Sequence, residues 1–216
     1  MTNPKIVFFD FDGVVLDSAK IKTLAFPEVF KDYPQHLEAI TNYHLENQGI
    51  SRYEKFDWIY QTLLKTELSN SKKEELGNTF SEIVLEKVMQ CPFIKGAKNL
   101  LEYFRETNIK CVVASGTPYK ELHTIIKKRN LSQFFIEVWG SPKHKEAIIE
   151  DILERYSIEP SEALFLGDAT TDYFAAKSNN VPFQAVYSDE MIDFWENENI
   201  KSINDLEQIK SLYFSN

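Results

Sequence analysis

From Pro92 onward the chain alternates between short apolar runs and segments of helical length, and this alternation constrains the fold more than any other feature. A helical segment at about 96–107 precedes an apolar run at 109–114 (Ile-Lys-Cys-Val-Val-Ala). A helix from about 118 precedes a strand near 134–138, and a helix at about 143–156 precedes the run 163–166 (Ala-Leu-Phe-Leu). A last unit runs from a helix at 171–179 to a strand at 182–186, and residues 5–9 (Lys-Ile-Val-Phe-Phe) supply one more apolar run at the start. Short, nearly continuous apolar runs are what strands buried on both faces require. Strands joined through helices pair in parallel, because the connection has to cross back over the sheet. The expected fold is α/β: a doubly wound, parallel, five-stranded Rossmann-like core with helices on both faces.

Residues 17–90 have a different texture. They contain no comparable run but carry apolar residues at helical spacing, such as Phe26, Val29 and Phe30, then Phe56, Ile59, Tyr60, Leu63 and Leu64. Breaks fall near Pro34, at Gly49-Ile50-Ser51 and at Ser69-Asn70-Ser71, and Ser51 and Ser69 are suited to cap the helices that follow. The stretch reads as four helices inserted at the carboxyl end of the first strand, the edge at which open α/β sheets bind ligands. The expected organisation is a core of residues 1–16 plus 92–216, with residues 17–91 forming a helical cap over the site.

Bulk properties narrow the partners. With 216 residues and 43% hydrophobic content, including 16 Phe, 10 Tyr and 3 Trp, there is enough apolar material for a sizeable core. The net charge of −9 repels nucleic acid and anionic membrane, so neither is an expected partner; a local cationic site still permits a small anionic substrate. No stretch approaches the ~18 apolar residues of a membrane span. The only cysteines, Cys91 and Cys111, do not make a disulfide framework, which fits a reducing, cytoplasmic setting. A monomer is the expectation.

The first run ends in Asp10-Phe11-Asp12-Gly13. Alternation puts Asp10 and Asp12 on one side if the strand stays extended, and two close carboxylates need a cation or a shared proton. The plainer alternative is a turn, since Asp and Gly are turn formers. The run 164–166 likewise ends in Gly167-Asp168-Ala169-Thr170-Thr171-Asp172, where acids could simply favour the first turn of a helix. Both motifs lie at carboxyl ends of parallel strands, so they can converge, and Asp10, Asp12 and Asp168 then make an all-oxygen site suited to Mg2+. A third run ends in Ser115-Gly116-Thr117-Pro118; Ser115 and the backbone N–H groups from Gly116 on can hold a phosphate oxygen, or Ser115 or Thr117 can merely cap the next helix. The segment Gly140-Ser141-Pro142-Lys143-His144-Lys145 offers two lysines able to neutralise phosphate and carboxylate charge, each of which by default would be a solvated surface charge.

Four strand-end motifs in this order, Asp-x-Asp-Gly-Val, Ser-Gly-Thr, Lys and Gly-Asp-x-x-x-Asp, resemble the haloacid dehalogenase superfamily over residues 6 to about 186. The helical insert is similar to the superfamily's helical-cap subgroup, which includes phosphoglycolate phosphatase-like enzymes and β-phosphoglucomutase. The resemblance implies a Mg2+-dependent phosphatase acting on a small phosphorylated metabolite. Asp10 would be the nucleophile and a metal ligand. Asp12 would be the general acid/base, with its backbone carbonyl on the metal. Ser115 and Gly116 would contact the phosphoryl group, Asp168 would bind the metal, and Asp172 would support it through waters. Lys145 is preferred to Lys143 as the motif lysine because the family's lysine opens a helix with aliphatics three and four residues on, as Ile148 and Ile149 are.

An acid two residues after the nucleophile separates this chain from the family's dehalogenases and phosphonate hydrolases, and favours transfer of phosphoryl groups from oxygen. A phosphosugar mutase uses the same two aspartates, and a non-catalytic phosphate-sensing module is a further alternative, although such modules usually lose a catalytic acid. In the insert, Arg52 and Lys55 stand three apart on one helix face. They are expected to meet an anionic group of the substrate, the alternative being a solvated charged face. His44 and His123 lack the spacing of a zinc site and are read as structural.

Overall fold

In the computed structural model, which describes residues 3–214, the sheet is organised around the chain's first apolar run. Ile6–Phe9 (β1) is completely buried: Val7 and Phe9 point into one layer, Ile6 and Phe8 into the other. Burying one such side chain removes roughly 1.5–3 kcal/mol of unfavourable hydration, which fixes this strand at the centre. It is followed by Lys110–Pro118 (β2), Glu137–Ser141 (β3), Ala163–Gly167 (β4), Phe183–Val186 (β5) and Ser202–Ile203 (β6). The strands pair in parallel in the order β3-β2-β1-β4-β5-β6, so the direction of winding reverses between β1 and β4. The sixth strand extends the expected five. It is two residues long and pairs only with β5, too short to leave an apolar run in the sequence.

The third strand lies three residues later than expected. Phe134 and Phe135, which suggested a strand near 134–138, belong instead to a 3-10 turn at Ser132–Phe134 and the residue after it, both packed into the core. Strand β3 itself is at the edge and only partly buried over Glu137–Trp139, so its sequence is half polar.

The insert between β1 and the rest contains Ala19–Val29 (α1), Leu37–Glu46 (α2), Arg52–Trp58 (α3), which continues into a π-helical turn at Ile59–Leu64, and Asn70–Gln90 (α4). Ser51 caps α3 by accepting the Tyr53 N–H, and Ser69 caps α4 by accepting that of Lys72. Phe26, Phe56 and Phe80 bring α1, α3 and α4 together edge to face. One face of the sheet is covered by Ala97–Glu106 (α5) and Tyr119–Lys128 (α6), the other by Lys145–Tyr156 (α7) and Thr170–Ser178 (α8). Two short helices, Ile192–Asn197 (α9) and Gln208–Tyr213 (α10), complete the chain. Among the described residues no helix is long and apolar enough to cross a membrane.

Candidate active site

The winding reversal puts the ends of β1 and β4 side by side, and the acids that follow them meet there. Oxygens of Asp10, Asp168 and Asp172 all lie within 4.8 Å of one another. Gly13 permits this approach. Its φ is +84°, and a Cβ there would stand 2.0 Å from Asp168 Oδ2, so any other residue would push Asp168 away.

Lys145, the first residue of α7, holds the acids together. Its ammonium donates to Asp172 Oδ1 at 2.5 Å and lies 3.2 Å from Asp10 Oδ2. Asp10 Oδ1 accepts the Phe11 N–H at 2.7 Å. Asp172, 0% exposed, also accepts the Ala169 N–H with Oδ2, which ties the start of α8 to the same point. Burial raises the Asp10 carboxyl; Lys145 opposes that, the charges of Asp172 and Asp12 reinforce it, and the outcome is a pKa of about 7. Burial, then the charges of Asp10 and Asp172, hold Asp168 well above the usual carboxylate range. Burial pulls the Lys145 ammonium down, but Asp10 and Asp172 outweigh it and keep it above its ordinary value. Lys143 is elsewhere: it pairs with Asp151 and lies over the Trp139 ring.

Asp12 is not the third member of the carboxylate cluster; Asp172 is. The Asp12 carboxylate is turned aside by three donors, Ser18 Oγ at 2.6 Å, Lys22 Nζ at 2.5 Å and Thr117 Oγ1 at 2.8 Å. Burial raises its pKa, but the charge of Lys22 and these hydrogen bonds prevail and hold it below the usual range. Each of the two neighbouring acids therefore has its own lysine, Asp10 from the core and Asp12 from the insert. Lys22 was not among the residues expected here. A lone lysine on a helix face carries no signal until the fold turns that face toward β1.

Ser115 and Thr117 lie within β2 and cap nothing; the Ser115 hydroxyl accepts the Thr117 N–H at 3.1 Å. Ser115, Gly116 and Thr117 line one cleft with Asp10, Asp12, Asp168 and Lys22. Arg52, Lys55, His44, Phe26 and Phe80 line the same cleft from the insert, so Arg52 and Lys55 are buried in it rather than on a solvated face. Arg52 donates to Glu121 Oε1 of α6 at 2.6 Å and to Ser81 Oγ at 2.9 Å, with its guanidinium 4.2 Å from the centre of the Phe80 ring. Lys55 donates to His44 Nδ1 at 2.8 Å. Burial, then the charges of Lys55 and Lys22, push His44 down to about 2, so the ring is neutral. His123 lies outside the cleft and bonds the Tyr119 carbonyl of its own helix.

Of the charged groups lining the cleft, Asp12 is paired with Lys22, Asp10 with Lys145 and Arg52 with Glu121. Asp168 and Lys55 are in no ion pair among the described residues, although the charge of Lys145 bears on Asp168 and that of Glu54 on Lys55. The Asp168 side chain is buried, with an oxygen within 4.8 Å of those of Asp10 and Asp172. A buried, unpaired carboxylate beside Asp10 is a set of hard oxygen donors that fits a small divalent cation.

A family model described as haloacid dehalogenase-like hydrolase matches residues 7–186, and the chain belongs to that family. It is therefore a hydrolase of the haloacid dehalogenase type. It is 27% identical over 184 residues to a phosphorylated carbohydrates phosphatase of Thermotoga maritima, covering 81% of each chain. It is 26% identical to a phosphoglycolate phosphatase of Aquifex aeolicus, over 80% of each. Among solved structures, a β-phosphoglucomutase of Clostridium difficile superposes with a TM-score of 0.72 over 99% of this chain and 97% of that one. At 20% identity that likeness is one of fold.

Proposed function

We propose that the protein is a Mg2+-dependent phosphomonoesterase that cleaves a small phosphorylated metabolite through an aspartyl phosphate on Asp10. The observation that carries this reading is the ion pair between Asp10 and Lys145 at the carboxyl edge of the sheet, beside the unpaired Asp168. The names of the two phosphatase relatives support it.

An Asp10 oxygen attacks phosphorus and the bond from phosphorus to the ester oxygen breaks. Asp12 gives the departing alcohol its proton. In the second step Asp12 takes a proton from water, the water oxygen attacks phosphorus, and Asp10 leaves as a carboxylate with free phosphate as product. With its Lys22, Ser18 and Thr117 contacts Asp12 is in the ionised form, ready for the second step; it takes up a proton for the first when those contacts loosen. Lys145, Ser115 and the Gly116 N–H hold the phosphoryl oxygens. Asp10, Asp168 and the Asp12 backbone carbonyl would hold Mg2+, with Asp172 fixing Lys145 behind them. When bound, the ion would offset the charge of the phosphoryl oxygens. Residues 17–91 act as a cap on a core of 1–16 and 92–216; of its two expected substrate-facing cations, Lys55 contributes charge to the cleft, whereas Arg52 is neutralised by Glu121.

The test is a panel of phosphate esters at fixed Mg2+, followed by free-phosphate release. Release that vanishes on removing Mg2+ supports the reading. Interconversion of sugar phosphate isomers without free phosphate points to a mutase, and no turnover on any ester overturns it.

A further inference from the structure

Lys55 is the one cleft-lining cation among the described residues without an acid partner, and its surroundings are built around it. It is 2% exposed. Its ammonium donates to His44 Nδ1 at 2.8 Å and, more weakly, to the His44 carbonyl at 3.5 Å, and it lies 5.3 Å from the centre of the Phe26 ring. His44 is fixed in turn: Nδ1 accepts from Lys55, so Nε2 is the nitrogen that donates to Thr23 Oγ1 at 3.1 Å. Three donors sit on an ammonium, and two are used. A neutral imidazole orients Lys55 without cancelling its charge. Arg52, on the same helix face, is different, because Glu121 already neutralises it.

We propose that Lys55, held by His44, binds a carboxylate of the substrate, and that the protein selects small phosphorylated carboxylic acids over neutral phosphate esters. This rests on the phosphatase reading, in which the phosphoryl group occupies the Asp10 and Ser115 end of the cleft. One unpaired positive charge matches one carboxylate; a second phosphate would bring up to two negative charges and leave one buried without compensation. Phe26 and Phe80 form apolar walls to the same cleft, which strengthens such a contact by excluding water. Burial, then the charge of Lys22, lower Lys55 to about 7; the charge of Glu54 opposes this and that of Lys145 adds to it, so an arriving anion also restores its full charge.

A matched pair of esters tests this. 3-Phosphoglycerate and glycerol 3-phosphate differ in a carboxylate against a hydroxymethyl group. The native enzyme with Mg2+ should prefer 3-phosphoglycerate by about tenfold or more in kcat/KM, the worth of one charged hydrogen bond. The ratio should collapse toward one in Lys55→Met and be retained in Lys55→Arg. The same pair is compared by calorimetric binding to the native enzyme, which needs neither turnover nor a variant. Equal affinity for the two esters, or a preference that survives Lys55→Met, overturns the carboxylate site. If instead calorimetry shows the preference but neither these esters nor p-nitrophenyl phosphate is hydrolysed, the site stands and the phosphatase reading falls.

Discussion

The Lys22 ammonium lies 2.5 Å from the Asp12 carboxylate, and it reaches there from α1 in the helical insert, not from the sheet that carries Asp12. The same ammonium also donates to Thr117 Oγ1 at 2.5 Å, so the insert contributes directly to the protonation state of the proposed acid/base. Removing Lys22 leaves burial as the leading influence on Asp12, and its pKa rises. Lys22→Met should therefore move the limb of the kcat/KM profile that reports Asp12 ionisation to higher pH, with a loss of about tenfold or more in rate at neutral pH. A profile with unmoved limbs contradicts the role given to Lys22.

Lys145 is the only cation within ion-pair reach of Asp10 and Asp172 among the described residues. Lys145→Met strands buried carboxylates without compensation. The expected cost is about 3–5 kcal/mol in metal-free urea denaturation, partly recovered by Mg2+. A variant as stable as the native protein in chelator would contradict the arrangement.

In the proposed site, Asp10 and Asp168 would link metal binding to pH. The Asp10 pKa is raised from 3.8 to about 7 in the fold, and that of Asp168 is raised as well. Between those values the folded state holds more protons than the unfolded one, so their ionisation lowers metal-free stability as pH rises through this window. Mg2+ bound there would have to displace the same protons. Its stabilising shift in Tm should be larger at about pH 8 than at about pH 5. Equal shifts at both pH values would count against these carboxylates as the metal site.

Arg52 joins the insert to α6 through Glu121, and both side chains are largely buried. Burial raises the Glu121 carboxyl, but the charges of Arg52 and Lys22 and the bonds from Arg52 and Ser81 hold it below its usual range. Arg52→Ala should cost about 3–5 kcal/mol, and the double variant Arg52→Leu/Glu121→Leu should regain much of that, because both buried charges are then gone. Full stability in Arg52→Ala would show that the pair does not fasten the insert.

Which parts of this were legible in the sequence follows from where the signals lie. Asp10, Ser115, Lys145 and Asp168 each end an apolar run or open the helix after it, so strand periodicity alone puts them at one edge of a parallel sheet. Lys22, Glu121 and His44 carry no such marker. They are single polar residues whose neighbours come from other segments, 95 residues apart for Lys22 and Thr117. His44 reads as structural because its partner is a lysine, not a metal-spaced acid or histidine. Arg52 and Lys55 do share a helix face that looks into the cleft, but their spacing could not reveal that Glu121 neutralises only the first. Strand β6 and the offset of β3 escaped notice because edge strands are half solvated and lose the apolar continuity that marks β1 and β4.

Replacing one carboxylate oxygen of Asp10 by an amide tests its role as the nucleophile with the least disturbance of shape. Phosphate release by native protein and by Asp10→Asn should be measured with p-nitrophenyl phosphate and saturating Mg2+. Release from Asp10→Asn should fall by about a thousandfold or more, because an amide cannot form the covalent intermediate. Turnover in Asp10→Asn comparable to that of the native protein would contradict a nucleophilic Asp10.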